Sequence, residues 1–359
     1  MPFGKAFAAM QVNNVSGTVA DGASITIQGS GFGNNGPTIV LFDNFESGTV
    51  GQNLKTGAGS ATIGQWLALN QVPPKYSNVT SVSGSNAWSV TAVQGVEGKT
   101  NAYLALPGTT EEFLSWWCYV PSSSPWPGEG SGSDPANNIN WKVMWFADGT
   151  AGNWTGTSND ADIVMLANSS QFAITGNRTP LTRWFSSNIS KGSWHRYWAW
   201  IKDGSNGDGT VKIWELRNSG VTLLLNATNV STVNPGGVRN QLSVNGYTRL
   251  HNSGTMPTQM FDDVYVAAGP NAQARVEIGN NSNYDQSTKL AIATVTSWSD
   301  TSIKATVRRG SFQSGENAYL FVVDANGNVS SGRAVTIGGT ASGGSTTLPA
   351  PAIASITIK

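Results

Sequence analysis

The chain has 359 residues, enough for about two domains, and its 21 Lys and Arg residues balance its 21 Asp and Glu residues. A net charge of zero gives no attraction for phosphate backbones or anionic membranes, which argues against nucleic-acid binding. The single cysteine, Cys118, excludes an internal disulfide and a multi-cysteine metal site. No run of about 18 apolar residues occurs, so no membrane span is expected, and the opening MPFGKAFAAMQVNNV lacks the features of a secretory signal.

The composition predicts an all-β protein. Glycine is abundant, with 42 residues, whereas charged residues make up only 12% of the chain. This balance is typical of short strands joined by tight turns and not of helices with charged outer faces.

Strands are predicted at both ends of the chain. Near the N-terminus, ADGASITIQGSGFGNNGPTIVLFD alternates around Ile25 and Ile27, turns at glycines and continues as an apolar strand over residues 38–42. Near the C-terminus, strands are predicted at residues 303–307, 318–323 and 333–337, separated by Gly and Asn turns. Five or so strands make a small sandwich only if the two pieces come together.

The motifs SITIQGSGFG at residues 24–33 and SDTSIKATV at residues 299–307 together resemble the IPT/TIG immunoglobulin-like family. In that family the two stretches are close in sequence, whereas here they are far apart. The resemblance therefore implies that a whole domain is inserted into a small immunoglobulin-like sandwich. Insertion is tolerated where the two ends of a host loop lie close together.

The inserted segment opens with FDNFESGTVGQNL and closes with MFDDVYVAAGP, and both resemble the first and last strands of concanavalin A-like jelly rolls. That fold is shared by lectins, laminin-G-like modules, polysaccharide lyases and glucanases, so it implies two stacked antiparallel sheets and not one activity. The predicted domains are an N-terminal arm (1–12), a discontinuous immunoglobulin-like domain (9–42 plus 286–338), the jelly roll (43–270), and a linker with a C-terminal strand (339–359).

Thirteen of the fourteen tryptophans fall between Trp66 and Trp214, inside the insert. Strand alternation places Trp198 and Arg196 on one face of the strand SWHRYWAWIK, and groups Trp141 with Trp145, opposite Lys142, in INWKVMWF. If such faces are exposed, indole rings stack on sugars while Arg and Lys bond hydroxyls. Trp198, Arg196 and Trp141 are the predicted carbohydrate-binding residues; the alternative is that these rings fill the core between two sheets.

Catalytic groups are harder to find. Glucanases of this fold usually carry an E-x-D-x-E strand, which is absent, and the nearest candidate is the pair Asp160 and Asp162. His195 and His251 are the only histidines available as a neutral-pH base. Because the Asp pair and His195 are better explained as strand or turn residues, no catalytic residue is predicted.

A structural calcium ion is a further prediction. Asp43 near the entry of the insert, and Asp262 and Asp263 near its exit, are oxygen donors on strands expected to be neighbours, and Ca²⁺ accepts six to eight such oxygens. A second, turn-borne candidate is KDGSNGDGT, with Asp203 and Asp208. Both groups are also explained as strand ends or a hairpin turn.

The sequence is consistent with two functions. The first is a non-enzymatic phage virion decoration or appendage protein that displays a glycan-binding jelly roll, with a virion location, capsid or tail partners and homo-oligomers held by the terminal arms. It fits a chain with an extracellular composition and no export signal. The alternative is an extracellular polysaccharide lyase or glycoside hydrolase.

Overall fold

A computed structural model describes residues 10–96, 98–128, 141–147, 161–165, 171–175, 181–248 and 254–341. Within these ranges the regular structure is strand, apart from one 3-10 turn at Tyr284–Gln286. The prediction of an all-β protein is confirmed. In chain order the strands are β1 (Gln11–Thr18), β2 (Ser24–Ser30), β3 (Ile39–Asp43), β4 (Ala68–Leu69), β5 (Lys75–Ser77), β6 (Ala87–Thr91), β7 (Ala102–Thr109), β8 (Glu111–Tyr119), β9 (Trp141–Ala147), β10 (Ala161–Met165), β11 (Gln171–Thr175), β12 (Thr182–Ser186), β13 (Trp194–Lys202), β14 (Gly209–Arg217), β15 (Gly220–Val230), β16 (Arg239–Tyr247), β17 (Thr258–Ala268), β18 (Arg275–Gly279), β19 (Leu290–Trp298), β20 (Ser302–Thr306), β21 (Asn317–Val323), β22 (Arg333–Thr336) and β23 (Thr340–Ala341).

The inserted segment forms two stacked antiparallel sheets. The seven-stranded front sheet has the order β12-β11-β10-β9-β16-β7-β4. The eight-stranded back sheet has the order β15-β14-β13-β8-β17-β6-β5, with β3 also paired to β17. Alternate side chains of both sheets point inward and form one core, in which large rings such as Trp66, Trp116 and Trp141 are buried.

A third sheet, the host sheet, is built from both ends of the chain in the order β22-β21-β18-β19-β20-β2-β1-β23. The two ends join where β2 pairs with β20, for example Ile27 with Ile303. The sheet encloses a separate core that includes Val15, Ile25 and Val322. The jelly roll is therefore inserted into a smaller sandwich, as predicted.

The insert enters and leaves the host through neighbouring strands. Ile39 on β3 is paired with Ala267 on β17, so the two ends of the insert are side by side. The observed sheets differ from the predicted boundaries in detail. Residues 39–42 pair within the back sheet, and the host sheet already resumes at Arg275, earlier than the predicted residue 286. The terminal arms lie mostly outside the described residues, which begin at Met10 and end at Ala341.

The host sheet covers the outer face of the back sheet. Trp198 is stacked on Trp214, with ring centroids 6.2 Å apart, and only 1% of its surface is exposed. Beside it, Arg196 forms an ion pair with Glu277 of β18. The apolar contact between the two units comprises Phe42, Phe113, Trp198, Leu216, Tyr265, Ala267, Ala272, Tyr284, Leu290, Ile292 and Phe321.

Replacing Trp198 with Ala is expected to lower the free energy of unfolding by about 3–5 kcal/mol, because it leaves a cavity between the back sheet and the host sheet. Trp184, of which 57% is exposed, provides the matched control, and its replacement by Ala should change stability by less than about 0.5 kcal/mol. Urea denaturation of both variants measures the difference. Equal stability of the two variants would contradict the buried position of Trp198.

Candidate functional site

The three residues predicted to bind carbohydrate do not form an exposed platform. Trp198 and Arg196 lie under the host sheet, with 1% of each residue exposed. Trp141 lies in the core between the two jelly-roll sheets, where its Nε1 donates to Asn245 Oδ1 at 2.6 Å. That prediction is corrected, because alternation identifies which residues share a face but not which face another sheet covers.

A bulge in β9 decides which side chains reach the outer face of the front sheet. Adjacent residues of β10 pair with Lys142 and Met144, so the register skips Val143. Strict alternation predicts Lys142 and Trp145 on opposite faces, whereas the bulge brings both to the outer face and leaves Met144 in the core. The expected grouping of Trp145 with Trp141 is therefore also corrected.

Lys142 is the centre of a cation–aromatic cluster on this face. Its Nζ lies 3.9 Å from the ring centroid of Trp145 and 6.0 Å from that of Tyr247. Tyr247 lies on β16 and is paired with Lys142 of β9. Lys142 is 7% exposed, so its charge is held in a largely desolvated position where an ammonium over an indole ring is favourable. The cluster therefore places a positive charge and two aromatic rings together on this face.

Two glycines leave room for the aromatic rings of this cluster. A Cβ atom on Gly246 would lie 2.6 Å from the Cβ of Trp145. A Cβ atom on Gly98, whose φ is +62°, would lie 2.7 Å from Cδ2 of Tyr247. Side chains at either position would displace the rings that flank Lys142.

A row of polar side chains continues from this cluster across β16 and β7. Ser243 is paired with Trp145 on one side and with Tyr103 on the other. The backbones of Trp145 and Tyr103 are therefore about two strand spacings, roughly 10 Å, apart. Asn101 Nδ2 donates to Ser243 Oγ at 2.5 Å, and Asn70 Nδ2 donates to the Tyr103 hydroxyl at 2.8 Å. Burial raises the pKa of Tyr103, so its hydroxyl keeps its proton at neutral pH.

Gln241 is the least satisfied polar group of this row. It lies two residues from Ser243, is fully buried, and neither atom of its amide has a hydrogen-bond partner in the part of the chain that the structure describes. Leaving a buried amide unpaired costs about 1–3 kcal/mol.

The same face extends to an exposed aromatic residue at the sheet edge. Lys142 is paired with Val164, Val164 with Ala173, and Ala173 with Trp184. Trp184 therefore shares the outer face and lies about three strand spacings, roughly 14 Å, from the backbone of Lys142. With 57% of its surface exposed, it offers a flat ring to solvent.

Sequence reasoning did not identify Lys142, Tyr103, Tyr247 or Gln241, because no short motif connects them. One signal was present: a glycine within a strand pattern, here Gly246, often marks a bulge or a close approach of backbone to a side chain.

The acidic residues and histidines that were considered as catalytic candidates do not form one group. Asp162 lies opposite Trp145 in the register of the front sheet, while Asp160 and His251 lie outside the described residues. His195 lies in a separate cleft at the edge of the sandwich.

The carboxylates predicted to bind calcium are already used as hydrogen-bond acceptors. Asp43 accepts Trp66 Nε1 at 2.7 Å and the backbone N–H of Phe45 at 3.0 Å. Asp262 accepts the N–H groups of Val82, Ser83 and Asp263, and Asp263 accepts Ser83 Oγ at 2.7 Å. Among the described residues no group of three or more His, Cys, Asp or Glu side chains could hold a metal ion. The calcium ion therefore stays a prediction, without a complete set of ligands among the described residues.

The second, turn-borne acidic group also has internal partners. Asp203 forms an ion pair with the buried Arg239, and Asp208 accepts the backbone N–H of Asn206 at 3.2 Å, within a hairpin turn. These contacts match the alternative of a structured turn.

No family model and no curated protein matches the chain. Among solved structures, it is similar to an endo-β-1,4-glucuronan lyase from the fungus Trichoderma reesei, with 17% identity, a TM-score of 0.44, and coverage of 61% of this chain and 96% of that one. It is similar to alginate lyase Aly36B, with 16% identity, a TM-score of 0.45, and coverage of 65% and 97%. It is also similar to the catalytic domain of a glycoside hydrolase family 131 protein from Coprinopsis cinerea, with 16% identity, a TM-score of 0.39, and coverage of 65% and 95%. With TM-scores below 0.5 these likenesses support no statement about activity. The predicted sandwich of two antiparallel sheets is confirmed by the sheet topology of the insert.

The comparisons overturn the prediction of a non-enzymatic phage decoration or appendage protein. The similar structures include polysaccharide lyases, a glycoside hydrolase and a lectin. The IPT/TIG assignment and the capsid or tail partners gain no support from them. Among the described residues no helix is long and apolar enough to cross a membrane.

Asp43 is expected to make stability fall as pH rises from about 4 to about 7. Burial raises the pKa of this carboxyl to about 7 in the folded chain, so in that window the folded state holds a proton that the unfolded state has released. The free energy of unfolding therefore decreases with pH, and Asp43→Asn should reduce this slope. Urea denaturation of both proteins at about pH 5 and about pH 8 measures it. An unchanged slope in the variant would contradict the assignment to Asp43.

Proposed function

We propose that the chain is a polysaccharide lyase that cleaves a uronic-acid-containing polymer on the front sheet. The observation that carries this proposal is the Lys142 ammonium held over Trp145 beside Tyr247, on the same face as the unpaired amide of Gln241. A buried cation and a free amide donor together suit a carboxylate ligand.

Lyase chemistry requires a small set of groups. A base removes the proton on the carbon next to the uronate carboxylate, and the electron pair forms a carbon–carbon double bond. The glycosidic C–O bond breaks, and an acid gives a proton to the leaving oxygen. No water is consumed, and the transient negative charge on the carboxylate must be stabilised by a cation or hydrogen-bond donors.

The residues of the front sheet fit these roles. Lys142 and Gln241 stabilise the carboxylate as charge builds on it. Tyr247, whose ring centroid lies 6.0 Å from the Lys142 ammonium, is placed to act as the base. Tyr103 keeps its proton because burial raises its pKa, and it is placed to protonate the leaving oxygen.

A hydrolytic mechanism needs two carboxylates on either side of the bond. Among the described strands of the front sheet, Asp162 is the one acidic residue, and its backbone is paired with that of Trp145. Elimination needs no such pair, so it agrees better with the groups at hand.

A long substrate is supported by the position of Trp184. Its exposed ring lies on the same face, roughly 14 Å from Lys142 by strand spacing, so a polymer crossing the sheet would meet it several sugar units from the point of cleavage. Indole rings stack on the apolar faces of sugars.

Incubation of the full chain with glucuronan, alginate and polygalacturonate should release unsaturated uronate from at least one of them, seen as new ultraviolet absorbance. Lys142→Ala should lower kcat/KM by about 10²–10⁴-fold, because it removes the cation that stabilises the developing charge. Lys212→Ala is the matched control: its Nζ lies 5.4 Å from the Trp200 ring on the back sheet, and activity should be unchanged.

Two outcomes would contradict the proposal. Reducing ends that appear without ultraviolet absorbance would indicate hydrolysis, and an active Lys142→Ala variant would remove Lys142 from the mechanism.

Trp184→Ala should raise KM for long polymers by about 5–30-fold and leave kcat unchanged, because one indole stack contributes on the order of 1–2 kcal/mol. Short oligomers that do not reach Trp184 should be unaffected. The control is Leu223→Ala, an exposed apolar residue on β15 at the edge of the back sheet. Steady-state kinetics over a series of chain lengths tests this, and a KM that rises equally for all lengths would contradict a remote subsite.

A further inference from the structure

A second polar cleft lies at the edge of the sandwich, formed by residues distinct from those of the front-sheet cluster. It has a volume of about 690 Å³ and lies where the connection from β12 to β13 faces the hairpin between β14 and β15. Its chemically active lining residues are Ser190, His195, Glu215, Arg217 and Asn218.

The hydrogen bonds of His195 fix its tautomer. The backbone N–H of Ser190 donates to His195 Nε2 at 3.0 Å, and because an N–H can only donate, Nε2 must carry the lone pair. The ring proton of the neutral imidazole is therefore on Nδ1. Ser190 Oγ lies 3.2 Å from the same Nε2, within reach for the imidazole to accept the hydroxyl proton.

Glu215 faces the other side of the imidazole. Its Oε1 is 3.9 Å from His195 Nδ1, and the residue is fully buried. It is held in place by donors on several sides: Ser187 Oγ and the Tyr197 hydroxyl, each at 3.0 Å, and Arg217 Nε at 2.7 Å. A fixed carboxylate opposite Nδ1–H favours the imidazolium that forms when Nε2 takes a proton.

We propose that Ser190 and His195, positioned by Glu215, form a second catalytic centre that hydrolyses carboxylic esters. Ser190 Oγ attacks the ester carbonyl carbon while His195 Nε2, on giving up its hydrogen bond from the Ser190 backbone N–H, takes the hydroxyl proton. The C–O bond to the alcohol breaks, and the alcohol leaves with that proton. Water then cleaves the acyl-Ser190 ester by the same route, releasing the carboxylic acid and restoring both residues.

The surroundings suit this chemistry. Ser190 is exposed, so an ester can reach its Oγ. Burial lowers the pKa of His195, which keeps the imidazole neutral and able to accept a proton at neutral pH. Arg217 and Asn218 line the cleft, and the Arg217 guanidinium, which donates to Glu215, brings a positive charge that favours an oxyanion. An open, polar cleft of this kind fits a small acyl group on a sugar hydroxyl better than an apolar lipid ester.

The test uses the full chain with two probes, a fluorophosphonate that labels activated serines and p-nitrophenyl acetate. The wild-type protein should be labelled, with the adduct on Ser190 by mass spectrometry, and should release p-nitrophenol. Ser190→Ala and His195→Ala should each lower hydrolysis by about 10²-fold or more. Ser193→Ala, an exposed serine lining the same cleft, is the matched control and should retain wild-type activity.

Absence of labelling of the wild-type protein, an adduct on another serine, or equal hydrolysis by the Ser190→Ala and Ser193→Ala variants would overturn the proposal and leave His195 as a turn-capping residue. Should His195→Ala fail to fold by circular dichroism, the serine pair decides the matter. Lys142→Ala should keep full labelling, so failure of the lyase proposal and failure of this one are separable.

Discussion

The buried ion cluster between the back sheet and the host sheet determines which surfaces remain available. Arg196 of β13 and Arg275 of β18 both pair with Glu277, and the Tyr284 hydroxyl donates to the same carboxylate. Burial alone would raise the pKa of Glu277, but the two arginines lower it by more, so it stays ionised. Removing one partner of these ion pairs would leave an uncompensated buried charge, at a cost of about 3–5 kcal/mol. The ion cluster therefore holds the two sheets in one arrangement.

Among the described residues the host sheet packs on the outer face of the back sheet, so the proposed polymer site lies on the front sheet. Its chemistry depends on irregularities and not on regular pairing. The bulge at Val143 brings Lys142 and Trp145 to the same face, and Gly246 on the neighbouring strand leaves space for the indole ring. Bulges are common beside active sites because they re-aim single side chains without disturbing the sheet. The regular strands of the front sheet hold the proposed site in place, and the bulge at Val143 together with Gly246 determines which side chains form it.

Much of the fold could be predicted from the sequence because strand and turn signals are local. Composition and alternation identify an all-β chain, and the separated host strands around Ile27 and Ile303 indicate an insertion. The site could not be predicted. The alternation that groups Trp198 with Arg196 is correct, but whether that face meets solvent depends on a sheet assembled from distant residues. The partnership of Lys142 with Tyr247 likewise depends on a skipped residue and a long-range register, which no local pattern contains.

The two proposed sites are connected through β12 and the segment that follows it. Trp184 on β12 marks the far edge of the front face, β12 ends at Ser186, and the lining of the second cleft begins at Ser187. A polymer that crosses the front sheet from Lys142 towards Trp184 is therefore directed to the edge of the sandwich where Ser190 lies. Acyl groups on a uronate chain would hinder close contact with the buried Lys142 and Gln241, since both sit on a largely desolvated surface. Ester hydrolysis at Ser190 and elimination at Lys142 are compatible chemistries. Ester hydrolysis uses water and a neutral imidazole, whereas elimination needs neither.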